Sequence, residues 1–167
     1  MTADTTMQLR LVSHSPAQTQ RIGERLAQCL QPGDVVCLQG DLGTGKTCLT
    51  QGIARGLGVK LAVTSPSFIM INEYALPGPA RRLRHIDLYR IGSLSEARAL
   101  GLEDYFYADG ICVVEWAERA LELLPPQRLW IVLRHLGETE RELTLDAQGE
   151  CHRDLVPSLQ QNEEGSK

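Results

Sequence analysis

The sequence predicts a single three-layer α/β domain built on a mixed parallel and antiparallel sheet. Three observations predict it. Short apolar runs of the buried-strand kind, VVCL at 35–38 and ICVVEW at 111–116, alternate with stretches of helical periodicity. Extended segments paired across turn residues occur in the middle and at the end of the chain, as in hairpins. The 167 residues, 43% hydrophobic and 23% charged, suit one ordinary globular domain with its own core.

The elements follow in order. Residues 16–30 read as a helix: Ser15 can cap it, Pro16 suits its first position, and Ile22, Leu26, Cys29 and Leu30 recur at helical spacing. QPGD breaks the chain before the VVCL strand, and a glycine-rich loop comes directly after it. TCLTQGIARGLG then puts Leu49, Ile53 and Leu57 on one helical face, with Gly58 as a C-terminal stop. Two extended stretches, SFIMINEY (67–74) and RLRHIDLYRI (82–91), flank the turn ALPGPAR. Ser93 and Glu96 form a capping box ahead of the helix EARALGL. After the ICVVEW strand, AERALELL is helical and Pro125-Pro126 ends it. LWIVLRHL and RELTLDA, joined around Gly137, form a late antiparallel pair. With no repeat and no linker, residues 1–155 are one domain, and 156–167 a polar, flexible tail.

Charge and cysteine usage exclude several function classes. The net charge is −4 and the pI about 5.6. Neutralising nucleic-acid phosphates needs a basic surface, and the one short basic run is RRLR at 81–84, so strong direct nucleic-acid binding is not expected. No window approaches the ~18 apolar residues of a membrane span. The start of the chain lacks a basic region followed by an apolar core, so a cytoplasmic protein is expected. Cys29, Cys37, Cys48, Cys112 and Cys151 are scattered and odd in number, which suits reduced thiols; neither they nor the four histidines show zinc-ligand spacing.

GDLGTGKT carries the chemistry. It fits G-x-x-x-x-G-K-[ST], with Gly40, Gly45, Lys46 and Thr47 in the fixed places. Glycines let backbone N–H groups close on a polyphosphate, and a helix beginning at Lys46 points its positive end at the same anion. Lys46 would reach the β- and γ-phosphates, and the Thr47 hydroxyl would ligate Mg²⁺. A buried strand before the loop and an amphipathic helix after it supply the context this P-loop demands.

A nucleotide-cleaving site also needs an acid at the end of a neighbouring strand. Glu115 closes the run ICVVE, and Asp87 sits in HIDLYR. Either would otherwise be a surface acid or an ion-pair partner of Arg84, Arg90 or Arg119. No N-K-x-D or T-K-x-D guanine signature exists, which favours ATP. Trp116 is a nucleotide contact or a core residue, and Thr64-Ser65-Pro66-Ser67 a γ-phosphate sensor loop or a plain turn.

GDLGTGKT, TSPSF, HIDLYR and VVEW, in this order and at these distances, resemble the bacterial TsaE family (formerly YjeE), the ATPase of tRNA threonylcarbamoyladenosine synthesis. The resemblance spans about residues 10–135. It implies a P-loop fold with an unusual mixed sheet that binds ATP with Mg²⁺ and hydrolyses it slowly alone. It implies action with the TsaD–TsaB pair, which transfers the threonylcarbamoyl group to adenosine 37 of tRNAs reading codons that begin with A. ATP turnover would reset that pair, with tRNA held indirectly through it. By motif position, Asp41, Leu42, Gly43, Thr44, Gly45 and Lys46 would bind the phosphates, and Thr47 and Glu115 would hold Mg²⁺. Asp87, with Lys46, would carry turnover, Thr64 to Phe68 would form a switch-like loop, and Trp116 would lie beside the nucleotide. Ser13 to Ser15 would approach the adenine. Ser67 stands where the family has threonine, and Ala117 at a position that varies. A small-molecule kinase, with Arg81, Arg82 and Arg84 in a lid, is the alternative; a module that uses ATP only as structural glue is a third reading.

Overall fold

The structure is a computed structural model and describes residues 7–65, 71–79 and 82–149, together with 157 and 159. Seven strands form one sheet: β1 (Met7–Ser13), β2 (Val35–Gln39), β3 (Ile71–Ala75), β4 (Arg82–Asp87), β5 (Ile111–Glu115), β6 (Arg128–His135) and β7 (Arg141–Gln148). Their spatial order is β1-β7-β6-β2-β5-β4-β3. The four central strands, β6, β2, β5 and β4, run parallel; β3 on one side and β7 and β1 on the other complete the sheet antiparallel. The mixed sheet is as predicted.

Helices cover both faces. Helices α1 (Pro16–Ala27) and α2 (Lys46–Leu57) pack on one side, where Leu26, Leu49 and Ile53 are fully buried against Val36, Leu38, Val113 and Ile131. Helices α3 (Leu94–Ala99) and α4 (Leu102–Tyr107) lie on the other, with a 3-10 helix at Ala117–Leu123, over Cys37, Ile86 and Val114. Each fully buried aliphatic side chain contributes about 1.5–3 kcal/mol, so β2 and β5, buried on both faces, anchor the domain. Just before QQNEEGSK, Leu159 is buried in the first cluster and its carbonyl accepts from Arg25 Nη2 at 2.5 Å.

Local chemistry explains the elements. Ser15 caps α1, accepting from the Gln18 N–H at 3.1 Å, with Pro16 in the first turn. Ser93 caps α3 from the Glu96 N–H, and Glu96 returns a bond from the Gly92 N–H at 3.0 Å. Helices α1 and α2 approach so closely that a Cβ at Gly23 would sit 2.6 Å from the Leu49 carbonyl oxygen.

The structure corrects several expectations. The sequence signals no strand at MQLRLVS, yet β1 alternates buried Leu9 and Leu11 against β7. Helix α1 ends at Ala27 rather than residue 30. RLRHIDLYRI is extended only to Asp87, after which Leu88–Ile91 turn. The helix expected at EARALGL stops at Ala99, and Gly101, with a left-handed φ of 69°, caps the start of α4. AERALELL is 3-10 helix kinked at Ala120 rather than a regular helix. The opening of SFIMINEY, and Pro66 to Phe68 of the switch-like loop, lie outside the described residues. The arginines imagined as a kinase lid fare differently: Arg81 lies outside the described residues, while Arg82 and Arg84 belong to β4 and pair with Glu73 at 2.9 and 3.5 Å.

Candidate nucleotide site

Strand β2 delivers the chain into the loop 40–45 at the sheet's C-terminal edge. Two glycines there are left-handed, Gly43 (φ 79°) and Gly45 (φ 102°). At Gly40 a Cβ would lie 2.6 Å from the Leu133 carbonyl oxygen and 2.7 Å from Thr44 Oγ1, so no side chain fits. Thr44 is buried and donates its hydroxyl to the Asp41 carbonyl at 2.8 Å, bracing the loop. Lys46 opens α2 and is 5% exposed. Its Nζ donates to the Gly40 and Asp41 carbonyls at 2.6 and 2.9 Å and stands 4.3 Å from the centroid of the Trp116 ring. Burial lowers its pKa below the ordinary 10.5, while Glu115, Glu118, Asp87 and Asp41 oppose that shift.

Strand alternation brings the acids to the same place. Leu83 in β4 and Ile111 and Val113 in β5 face α1 and α2, so His85, Asp87 and Glu115 continue on that face. The parallel register sets Asp87 beside Glu115. Glu115 is 2% exposed, and the Thr47 hydroxyl meets its Oε1 and Oε2 at 3.0 and 3.2 Å. Oε1 is also met by His85 Nε2 at 2.8 Å and accepts from the Thr50 hydroxyl at 3.4 Å. Asp87 accepts from Ser65 Oγ on Oδ2 at 3.0 Å and from the Tyr89 N–H on Oδ1 at 2.9 Å.

Trp116 has φ 56°, a left-handed conformation that no other non-glycine among the described residues adopts. Its ring lies 5.0 Å from that of Tyr89. Arg119 sits 5.1 Å from the indole centroid and holds the Tyr89 and Ile91 carbonyls at 2.6 and 3.1 Å.

These side chains surround a cavity of about 310 Å³. Leu42, Gly43, Gly45, Lys46, Thr47, Asp87, Glu115 and Trp116, all predicted, line it with Ser65 of the expected switch-like loop and with Cys48 and Tyr89. Asp41 and Thr44 shape the loop behind it through backbone bonds. Ser13 is fully buried, its hydroxyl held by the Ser15 carbonyl and Thr19, and the exposed residue of that segment is His14, 3.4 Å from Glu140. Sequence reasoning missed His85, Thr50, Tyr89 and Arg119. The two-residue spacing of His85 and Asp87 in a strand was the available signal for His85. A larger hollow of about 500 Å³ opens beside α1 and α2, but its Gln20, Gln51 and Arg55 are bonded to one another or to Glu24 and Val63.

The arrangement can hold a metal–polyphosphate. Loop glycines leave backbone N–H groups open to phosphate oxygens, a buried ammonium supplies positive charge, and a hydroxyl beside a carboxylate offers the hard oxygen donors that Mg²⁺ prefers. The family model described as "Threonylcarbamoyl adenosine biosynthesis protein TsaE" matches residues 13–143. The chain is 42% identical to a Bacillus subtilis protein named tRNA threonylcarbamoyladenosine biosynthesis protein TsaE, over 93% of this chain and 96% of that one. A Treponema pallidum protein of the same name is 39% identical over 82% and 99% of the two chains. The crystal structure of B. subtilis YdiB superposes with a TM-score of 0.82 at 38% identity, covering 96% of this chain and 99% of that one. Loop, hydroxyl–carboxylate pair and whole-chain likeness converge: the chain belongs to the TsaE family.

Proposed function

We propose that the protein binds ATP with Mg²⁺ in the P-loop cavity and hydrolyses it in support of tRNA threonylcarbamoyladenosine synthesis, acting with a TsaD–TsaB pair from the cytoplasm. The observation that carries this reading is the Thr47 hydroxyl bonded to the Glu115 carboxylate at the foot of the P-loop, with Asp87 lining the same cavity. The names of the relatives support the pathway, and among the described residues no helix is long and apolar enough to cross a membrane.

Each residue has a task that follows from its position. Backbone N–H groups of 41–46 and the N-terminus of α2 bind phosphate oxygens, and Lys46 neutralises charge developing on the terminal phosphates. Thr47 and Glu115 would hold Mg²⁺, which when bound screens the β- and γ-phosphate charge. Asp87 would accept a proton from the attacking water, because it is the second acid on this face. Trp116 and Tyr89 give the cavity an aromatic side.

The test is ATP hydrolysis by the purified chain with and without TsaD–TsaB. Strong stimulation by the pair is expected. ATP consumption that follows an added metabolite, with transfer of phosphate to it, would refute the reading in favour of a kinase.

A further inference from the structure

His85 is a buried histidine to which the reading above gives no task. It lies in β4, fully inaccessible, and its Nε2 is 2.8 Å from Glu115 Oε1. A carboxylate only accepts, so Nε2 carries the proton. The other ring nitrogen, Nδ1, is buried without a hydrogen-bond partner. A proton there would be a stranded donor, so the geometry suits a ring whose donor is Nε2–H. A histidine serving only to fill space would be a poor choice, since an apolar side chain of similar volume would strand no nitrogen.

The two Glu115 oxygens are unequally bonded. Oε1 takes His85 at 2.8 Å, Thr47 at 3.0 Å and Thr50 at 3.4 Å, whereas Oε2 has the Thr47 hydroxyl at 3.2 Å. We infer that His85 is a positioning residue for the cation site: its Nε2–H holds Oε1 inward and fixes the rotation of the carboxylate, leaving Oε2 to face a cation shared with Thr47. The inference rests on the Mg²⁺–ATP reading above. It makes β4 contribute twice to the site, with Asp87 lining the cavity and His85 orienting the acid of the neighbouring strand. Outer residues of this kind set metal affinity by about 10–100-fold.

The experiment compares ATP affinity by calorimetry, in Mg²⁺ and in EDTA, for the wild type, His85→Leu and His85→Gln, each checked by thermal melting. The glutamine amide can place an N–H near the position of Nε2, and leucine cannot. The leucine variant is expected to lose about 10–100-fold of the magnesium-supported affinity with metal-free affinity unchanged, and glutamine to restore most of it. A folded leucine variant that keeps the full magnesium gain overturns the inference. So does an equal loss in both variants, which would mean packing alone. Should the leucine variant fail to fold, ¹⁵N NMR of the wild-type imidazole decides: an Nε2–H tautomer is expected, and an Nδ1–H tautomer overturns the role. A wild type with no magnesium gain would instead defeat the Mg²⁺–ATP reading itself, and this inference with it.

Discussion

Replacing Lys46 with methionine keeps most of the side-chain stem and removes the charge, so it isolates what the ammonium does. In the structure Nζ is bound to two loop carbonyls at 2.6 and 2.9 Å and faces the Trp116 ring at 4.3 Å. To engage a triphosphate it must exchange some of these contacts for phosphate oxygens. Two bonds to phosphate, ionised on both sides, contribute about 6 kcal/mol, and the surrendered carbonyl bonds, ionised on the donor side only, return about 3 kcal/mol. The net loss on substitution is about 3 kcal/mol, or roughly 150-fold in Kd. Stability of the nucleotide-free protein should change much less, because burial of the charge opposes its own contacts. Calorimetric titration with Mg²⁺–ATP measures the first quantity and urea denaturation the second. A folded variant whose affinity falls less than about fivefold would show that the lysine does not reach phosphate, and the assignment of this loop would fail with it.

Three further outcomes follow from the geometry. Asp87→Asn should leave ATP affinity intact and abolish phosphate release; hydrolysis at the wild-type rate would remove Asp87 from the chemistry. Gly52→Ala should lower stability by about 1–2 kcal/mol, and with it the urea midpoint, despite alanine's better helix propensity, because its methyl would overlap the Gln20 backbone of α1; an unchanged or higher midpoint contradicts the packing. Burial pushes the Cys37 and Cys112 thiols up to about 12 and about 11 from 9.0. Above pH 9.0 the unfolded thiols ionise while the folded ones stay neutral, so stability present below that pH should fall by about 1.4 kcal/mol per pH unit for each thiol. A Cys37→Ala/Cys112→Ala protein should show a flatter alkaline slope in denaturation, and an identical slope would refute the cause.

Much of this was legible because the signals were local. A glycine pattern between an apolar run and an amphipathic stretch has one common meaning, and Ser15-Pro16 and Ser93-x-x-Glu96 mark helix starts without tertiary help. What stayed hidden depends on partners distant in sequence. The β1 strand is an edge whose alternation, with Leu9 and Leu11 buried, makes sense only against β7, more than a hundred residues later. The 3-10 form of 117–123 contradicts good helical residues such as Ala117, Leu121 and Leu123, because tertiary packing overrides a propensity of tenths of a kcal/mol. At the site, Glu115 and Asp87 were named from strand ends, whereas His85 and Tyr89, flanking Asp87 in the same motif, gained meaning only once the β4–β5 register was fixed.

Trp116 shows how the local rule yields at the site. Alternation in β5 turns Cys112 and Val114 toward α3 and α4 and Glu115 toward α2, so a continued strand would send residue 116 away from the P-loop. The chain instead takes a left-handed turn at Trp116, φ 56°, ψ 40°, which costs a non-glycine residue about 1–2 kcal/mol. The indole can then pack on the edge of the second cluster while its ring stands over the Lys46 ammonium and beside Tyr89 and Arg119. Glycine would adopt this turn without strain, but it offers no ring. Strain of this kind persists only where surrounding contacts outweigh it, and here those contacts join the end of the acid-bearing strand to the start of the phosphate-binding helix. The same turn thus leaves Glu115 on Thr47 and puts an aromatic wall on Lys46, coupling the proposed cation and phosphate groups through one residue.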